Sequence, residues 1–180
     1  MNRGMNMARG DWLLFLGTDD ALCPRFSIAA TYCREAHTLY YGDGFMAKTT
    51  RRYAGLFSAA KLARWNICPL VIFYPRAVFA QCQFNTRYHV LTDWALNMRG
   101  RHDGQFLSQY VSAVITELND RTEVSALRAD DKFHRDCLGL LRANFSIPIF
   151  MWHWAVRSAD WPQRVVGLLR WFLRFVTCQR

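Results

Sequence analysis

The sequence predicts an α+β protein that is mainly helical, with a few short strands in the first half (about 12–17, 39–48 and 70–84) packed on a helical second half (about 87–177). Three observations carry this. The run "PLVIFYP" sets five β-prone residues between two prolines, as a buried strand requires. Apolar residues recur at three- and four-residue spacing through most of the chain after residue 86. Strand signals do not recur after about residue 85, which argues against an alternating βαβ fold. A chain of 180 residues can bury about two thirds of its unfolded surface, so one domain over 1–180 is expected, with a strand-containing half (about 11–85) and a helical half (about 86–177).

Taken in order, "WLLFLG" (12–17) reads as a short buried strand or the start of a helix, and 26–37 as a helix. "HTLYYGDGFMAKT" reads as a hairpin, its Gly-Asp-Gly supplying the residues that tolerate the positive φ of a tight turn. Thr49 or Thr50 can cap a helix running to about Trp65, with Tyr53, Leu56, Phe57, Ala60 and Ala63 on one face. "AVFAQCQF" reads as a second strand after "PLVIFYP", alternating Ala80, Cys82 and Phe84 with Gln81 and Gln83.

The second half begins with a helix over 87–98 that buries Tyr88, Leu91, Trp94, Ala95 and Met98. "QFLSQYVSAVITEL" predicts an amphipathic helix with Phe106, Leu107, Tyr110, Val111, Val114 and Leu118 inward. A further helix over 123–144 turns Phe133, Cys137, Leu140 and Leu141 inward, and "SIPIFMWHWAVR" is a short apolar helix with Pro148 in its first turn. Asp160 with Gln163 makes a variant capping box for a closing helix. That helix is apolar around most of its circumference, with Arg164, Arg170 and Arg174 on a narrow polar stripe. Trp161, Leu168, Leu169, Trp171, Phe172 and Phe175 would then face the core, a partner protein, a second copy or a membrane surface. No apolar run reaches the ~18 residues of a membrane span.

Net charge is +9, and all basic residues but Lys48, Lys61 and Lys132 are arginine. Guanidinium groups fork onto phosphates and carboxylates and stack on rings. The charge is segregated: residues 48–101 hold nine basic groups and a single acid, Asp93. Arg51, Arg52, Lys61, Arg64, Arg99 and Arg101 therefore form a candidate anion- or nucleic-acid-binding surface, with Tyr53 and Trp65 as stacking partners. The competing reading pairs these groups with the acidic 102–160 segment.

Catalytic patterns are sparse. No phosphate-cradling glycine loop is present, and only three glutamates exist. "GTDDA" could bring Asp19 and Asp20 to a cation, but reads more simply as a turn capping a helix. Cys33 with His37, and His134 with Cys137, each lie one helical turn apart and are weak candidates for a zinc site; Cys33 with His37 is also the nearest nucleophile–base pair. "WLLFLG" is too short and too acid-flanked for a secretory leader, so the six cysteines are expected as thiols in a reducing, intracellular compartment, with peripheral membrane association as an option. The expectation is a non-enzymatic basic accessory protein without cofactor, binding nucleic acid or an acidic protein surface through its arginines. Two alternatives stand beside it: a hydrophobic-surface adaptor, oligomer or membrane-peripheral protein built on the closing helix, and an unrecognised cysteine- or zinc-dependent enzyme.

Overall fold

A computed structural model describes residues 1–53, 55–102, 106–118 and 130–157. Within them, a mixed six-stranded sheet packs against helices. The elements in order are α1 (Asn2–Met7), β1 (Trp12–Leu13), β2 (Ala21–Leu22), α2 (Phe26–Ala30), β3 (Thr38–Met46), β4 (Arg51–Tyr53), α3 (Ala59–Arg64), β5 (Ile72–Pro75), α4 (Arg76–Gln81), α5 (Thr92–His102), β6 (Leu107–Leu118), α6 (Asp131–Asn144) and α7 (Ile147–Arg157). The protein is α+β and not mainly helical, because the span expected as its clearest amphipathic helix is its longest strand.

The sheet order is β1-β5-β3-β6-β2, and β4 also pairs with β3. One edge of β3 is shared between β5, opposite Tyr40 and Tyr41, and β4, opposite Gly44 to Met46. The other edge runs parallel to β6; all other pairings are antiparallel. β3 is buried at Tyr40, Tyr41, Gly42, Asp43 and Gly44 in succession, so both faces are covered.

The same residues correct the expected hairpin. Gly42-Asp43-Gly44 is no turn: it lies inside β3, where the register with β6 shifts on both sides of Asp43. A Cβ on Gly42 would stand 2.5 Å from the Ala113 carbonyl oxygen, so glycine here permits backbone approach at a bulge. The true turn lies between β3 and β4, where Thr50 takes a left-handed φ of 51°. That displaces the expected start of the next helix. Ser58 caps α3 instead, its hydroxyl accepting from the Lys61 N–H at 3.1 Å.

β6 shows why its helix expectation fails. Val111, Ala113 and Ile115 are buried while Ser112 between them is exposed, a period of two. Leu107, expected inward, is 69% exposed. Val111, Val114, Ile115 and Thr116 are β-branched and stiff at χ1, which favours a pleated surface once β3 offers its edge. The "AVFAQCQF" strand is overturned the other way: α4 begins directly after Pro75, and Val78 and Phe79 are both buried against the sheet. The span 12–17 shortens to β1, and 26–37 to α2 followed by a turn.

The strand expected between the two prolines of "PLVIFYP" forms only in its second half: Pro69–Val71 make a 3₁₀ turn that leads into the wholly buried β5. The helix expected over 123–144 begins at Asp131, capped by Asp130, and 123–129 lie outside the described residues. Leu140 is partly buried, and Phe133, Cys137 and Leu141 are buried. These join Ala63, Tyr88, Ala95 and Met98 in a helical cluster, where Phe133 stacks on Trp94 at 5.1 Å between ring centroids. A larger cluster lies on the sheet around Tyr41, Ile72, Tyr74 and Ile115; Trp94 packs against both. No described helix is long and apolar enough to cross a membrane.

Candidate active site

The junction of the two clusters gathers polar side chains. α5 enters it at its first turn, which carries Asp93. The Asp93 carboxylate is buried and accepts a hydrogen bond from Asn66 Nδ2 at 2.6 Å. Asn66 sits on the segment after α3, where the Tyr53 hydroxyl donates to its backbone carbonyl. Asn66 Oδ1 accepts from Asn97 Nδ2 at 2.9 Å, and Asn97 Oδ1 accepts from the Tyr74 hydroxyl at 2.9 Å. Trp94 closes the corner, its Nε1–H donating to the Leu62 carbonyl at 2.8 Å.

The local sequence explains this convergence. Tyr74 is fully buried because β5 is enclosed, and a buried hydroxyl needs a partner. Asn97 lies one helical turn beyond Asp93, so both face the same side of α5. Asn66 follows the end of α3, whose last turn leads the chain towards β5.

Burial dominates the electrostatics. It pushes Asp93 up to about 6, against the hydrogen bonds from Asn66 and from the backbone N–H groups of Trp94 and Asp93, which favour the charged form. Cys68 is pushed up to about 12 by burial, with the carboxylates of Asp93 and Asp20 acting in the same direction. Burial likewise raises Tyr53 and Tyr74, with Cys68 and Asp93 adding to the effect. Near neutral pH the phenols and thiol therefore keep their protons, and Asp93 is the group of this corner poised to take one. Asp20 acts on Cys68 from the connection between β1 and β2. Thr18 and Asp19 form the expected turn, but it leads into β2, not a helix. Gly17 lets the Asp20 and Asp19 side chains fold over the backbone, where a Cβ would collide with the Asp20 carboxylate.

Among the residues expected to bind anions, Arg51 and Arg52 lie on β4 instead of opening a helix, and Arg52 approaches the buried Asp43 at 4.0 Å. Lys61 lies over the Phe57 ring at 4.1 Å and donates to the Leu56 carbonyl at 3.1 Å. Arg64 stacks over Trp65 at 4.5 Å and faces Trp152 at 5.9 Å. Arg99 is exposed on α5; Arg101 belongs to the same helix. These cations thus sit on β4, α3 and α5, and Arg52, Lys61 and Arg64 engage groups of the same molecule.

Cys33 packs at the edge of the sheet cluster and burial pushes its thiol up to about 11, while the His37 ring lies 5.9 Å from Phe106. Cys137 is buried in the helical cluster, and the neighbouring His134 ring meets Phe133 edge-on at 6.0 Å. Among the described residues no three or more His, Cys, Asp or Glu side chains gather where a metal ion would bind. Trp161, Leu168, Leu169, Trp171, Phe172 and Phe175, with the closing helix expected for them, lie outside the described residues.

The sequence reading missed Asp93. Its signal was present: it is the single acid among residues 48–101, and an isolated carboxylate in a basic block invites the question of what it does there.

No family model matches the chain, and no solved structure matches it. Over 139 residues, 74% of the chain, it is 36% identical to proteins named "PGL/p-HBAD biosynthesis glycosyltransferase" in Mycobacterium tuberculosis (strain ATCC 25177 / H37Ra) and Mycobacterium bovis (strain BCG / Pasteur 1173P2). The match spans 54% of those proteins, so the chain covers about half the length of the curated relatives it matches. These relatives are enzymes by name, and they correct the expectation of a non-enzymatic, nucleic-acid-binding accessory protein.

Proposed function

We propose that this chain takes part in glycosyl transfer, with Asp93 as the general base. The observation that carries the reading is the buried Asp93 carboxylate, set at the junction of the two clusters and bonded to Asn66 Nδ2 at 2.6 Å. The likeness at 36% identity to named glycosyltransferases supplies the reaction class.

The step needs a group that removes the proton from an acceptor hydroxyl as its oxygen attacks. Asp93 takes that proton, the acceptor oxygen bonds to the anomeric carbon of the donor, and the bond from that carbon to the leaving group breaks. Its electron pair departs with the leaving group. A base titrating about one unit below neutrality is ionised for most of the time and still basic enough to accept the proton.

The test is transfer by the purified chain from a panel of nucleoside-diphosphate sugars to phenol and alcohol acceptors, read by mass spectrometry of the glycosylated product. Asp93→Asn is expected to slow transfer by about 10²–10⁴-fold, the usual worth of a positioned base. A wild-type rate in Asp93→Asn, or no transfer by the wild-type chain across the panel, overturns the reading.

A further inference from the structure

Each amide between Tyr74 and Asp93 has its orientation forced. Asn97 Nδ2 donates to the Ile67 backbone carbonyl at 3.0 Å, and a carbonyl can only accept. The amino group of Asn97 must therefore lie on that side, and the same nitrogen also reaches Asn66 Oδ1. That leaves Asn97 Oδ1 facing Tyr74, so the hydroxyl must donate. It also leaves Asn66 with its oxygen towards Asn97 and its nitrogen towards Asp93. Every bond in the series consequently donates in one direction, from β5 through α5 and the α3–β5 connection to the carboxylate. Hydrogen bonds aligned in this way polarise one another in a medium of low dielectric.

We propose that Tyr74, Asn97 and Asn66 are positioning residues whose one-way hydrogen-bond chain, oriented by the Ile67 carbonyl, keeps an N–H donor permanently on Asp93. The assignment of Asp93 as base rests on the glycosyl-transfer reading; the chain itself does not. With Asn97 removed, nothing obliges the Asn66 amide to present nitrogen. Its oxygen can turn to a protonated Asp93 instead, and the neutral acid gains. The chain thus favours the ionised carboxylate against the burial that opposes it. Tyr53 from β4 and Cys68 ahead of β5 interact with the same carboxylate; Asp20 acts on Cys68, and Asp130 accepts from the backbone just before α5. None is altered by the substitutions below.

The experiment titrates Asp93 directly in the whole chain by NMR of ¹³C-labelled aspartate carboxyls, with the signal assigned from Asp93→Asn. Asn97→Leu is expected to raise the midpoint of Asp93 by about one pH unit, the equivalent of one charge-assisted hydrogen bond. Tyr74→Phe, which keeps the ring in its fully buried place, is expected to move it the same way by a smaller amount. An unmoved midpoint in a folded Asn97→Leu overturns the proposal. If circular dichroism shows Asn97→Leu unfolded, the milder Asn97→Ser decides: a raised midpoint supports the chain and an unmoved one overturns it. No substrate enters the measurement, so raised midpoints in a protein that transfers no sugar would uphold the chain while removing the glycosyl-transfer reading. Where transfer is measurable, the acidic limb of kcat/KM should move with the midpoint, which a purely structural role would not do.

Discussion

Asp93 and Asp130 are alike in most respects and opposite in one. Each lies at the start of a helix, Asp93 in the first turn of α5 and Asp130 as the cap of α6, and each is buried, at 6% and 3% exposure. Burial works upward on both. Asp130 nevertheless lies below the ordinary carboxylate value, because backbone N–H groups of Val90, Leu91, Phe133 and His89 donate to it and outweigh burial. Asp93 is desolvated far more completely and has fewer backbone donors, so burial wins. Asp130 caps α6 and clamps the chain ahead of α5 to it, through bonds of 2.9 Å from Val90 and 3.1 Å from Leu91. Depth of burial and donor supply together separate the carboxylate that fastens two helices from the one able to take up a proton.

Exchanging each side chain in turn tests that contrast. The largest effect is expected at Asp93: alongside the loss of transfer, Asp93→Asn should leave the fold intact and raise its stability at pH 7 by up to about 3 kcal/mol, because a buried charge is removed. Urea unfolding of both proteins checks this. Asp130→Ala should do the reverse, costing about 2–3 kcal/mol through a lost cap and orphaned backbone N–H groups, and leaving the pH profile of transfer in place.

The pH dependence of stability carries the same contrast with opposite signs. Folded Asp93 holds its proton more tightly than the unfolded chain, whose value is near 3.8, so its contribution falls as pH climbs from there to about 6. Asp130 is depressed, so its contribution is present above the unfolded value and is lost as pH falls through the folded one. Denaturation midpoints across pH 3–7 should therefore lose the first trend in Asp93→Asn and the second in Asp130→Ala. The smallest effect is expected for Trp94→Phe, which removes the bond to Leu62 and should cost about 1 kcal/mol without moving the Asp93 midpoint. A moved midpoint would mean that the indole also controls the carboxylate.

Legibility in the sequence tracked the range of the forces involved. The buried face of α6 was readable because Phe133, Cys137 and Leu141 repeat at helical spacing within one segment. β5 was readable because two prolines and a β-branched run bracket it locally. β6 was not, because its apolar residues satisfy a period of 3.6 and a period of two together, and only the neighbouring β3 breaks the tie. Gly42 and Gly44 announced a special backbone but not its kind: a turn and a bulge ask for the same residue. Asp93 stood out by charge in its block, yet its chemistry depends on Tyr53, Asn66, Cys68 and Asn97, spread over more than forty residues.

The sequence by itself determined the place of β5, the inward face of α6 and the concentration of cations between residues 48 and 101, but not the balance of strand and helix, which it read as mainly helical. Those properties follow from residue type and spacing within a few turns of chain. Tertiary structure alone decided that residues 107–118 form a strand, that Gly-Asp-Gly lies inside β3, and that a buried aspartate sits beside amides while another sits among backbone N–H groups. The reason is that strand pairing and the desolvation of a carboxylate depend on neighbours brought from distant parts of the chain, and such neighbours exist only once it has folded.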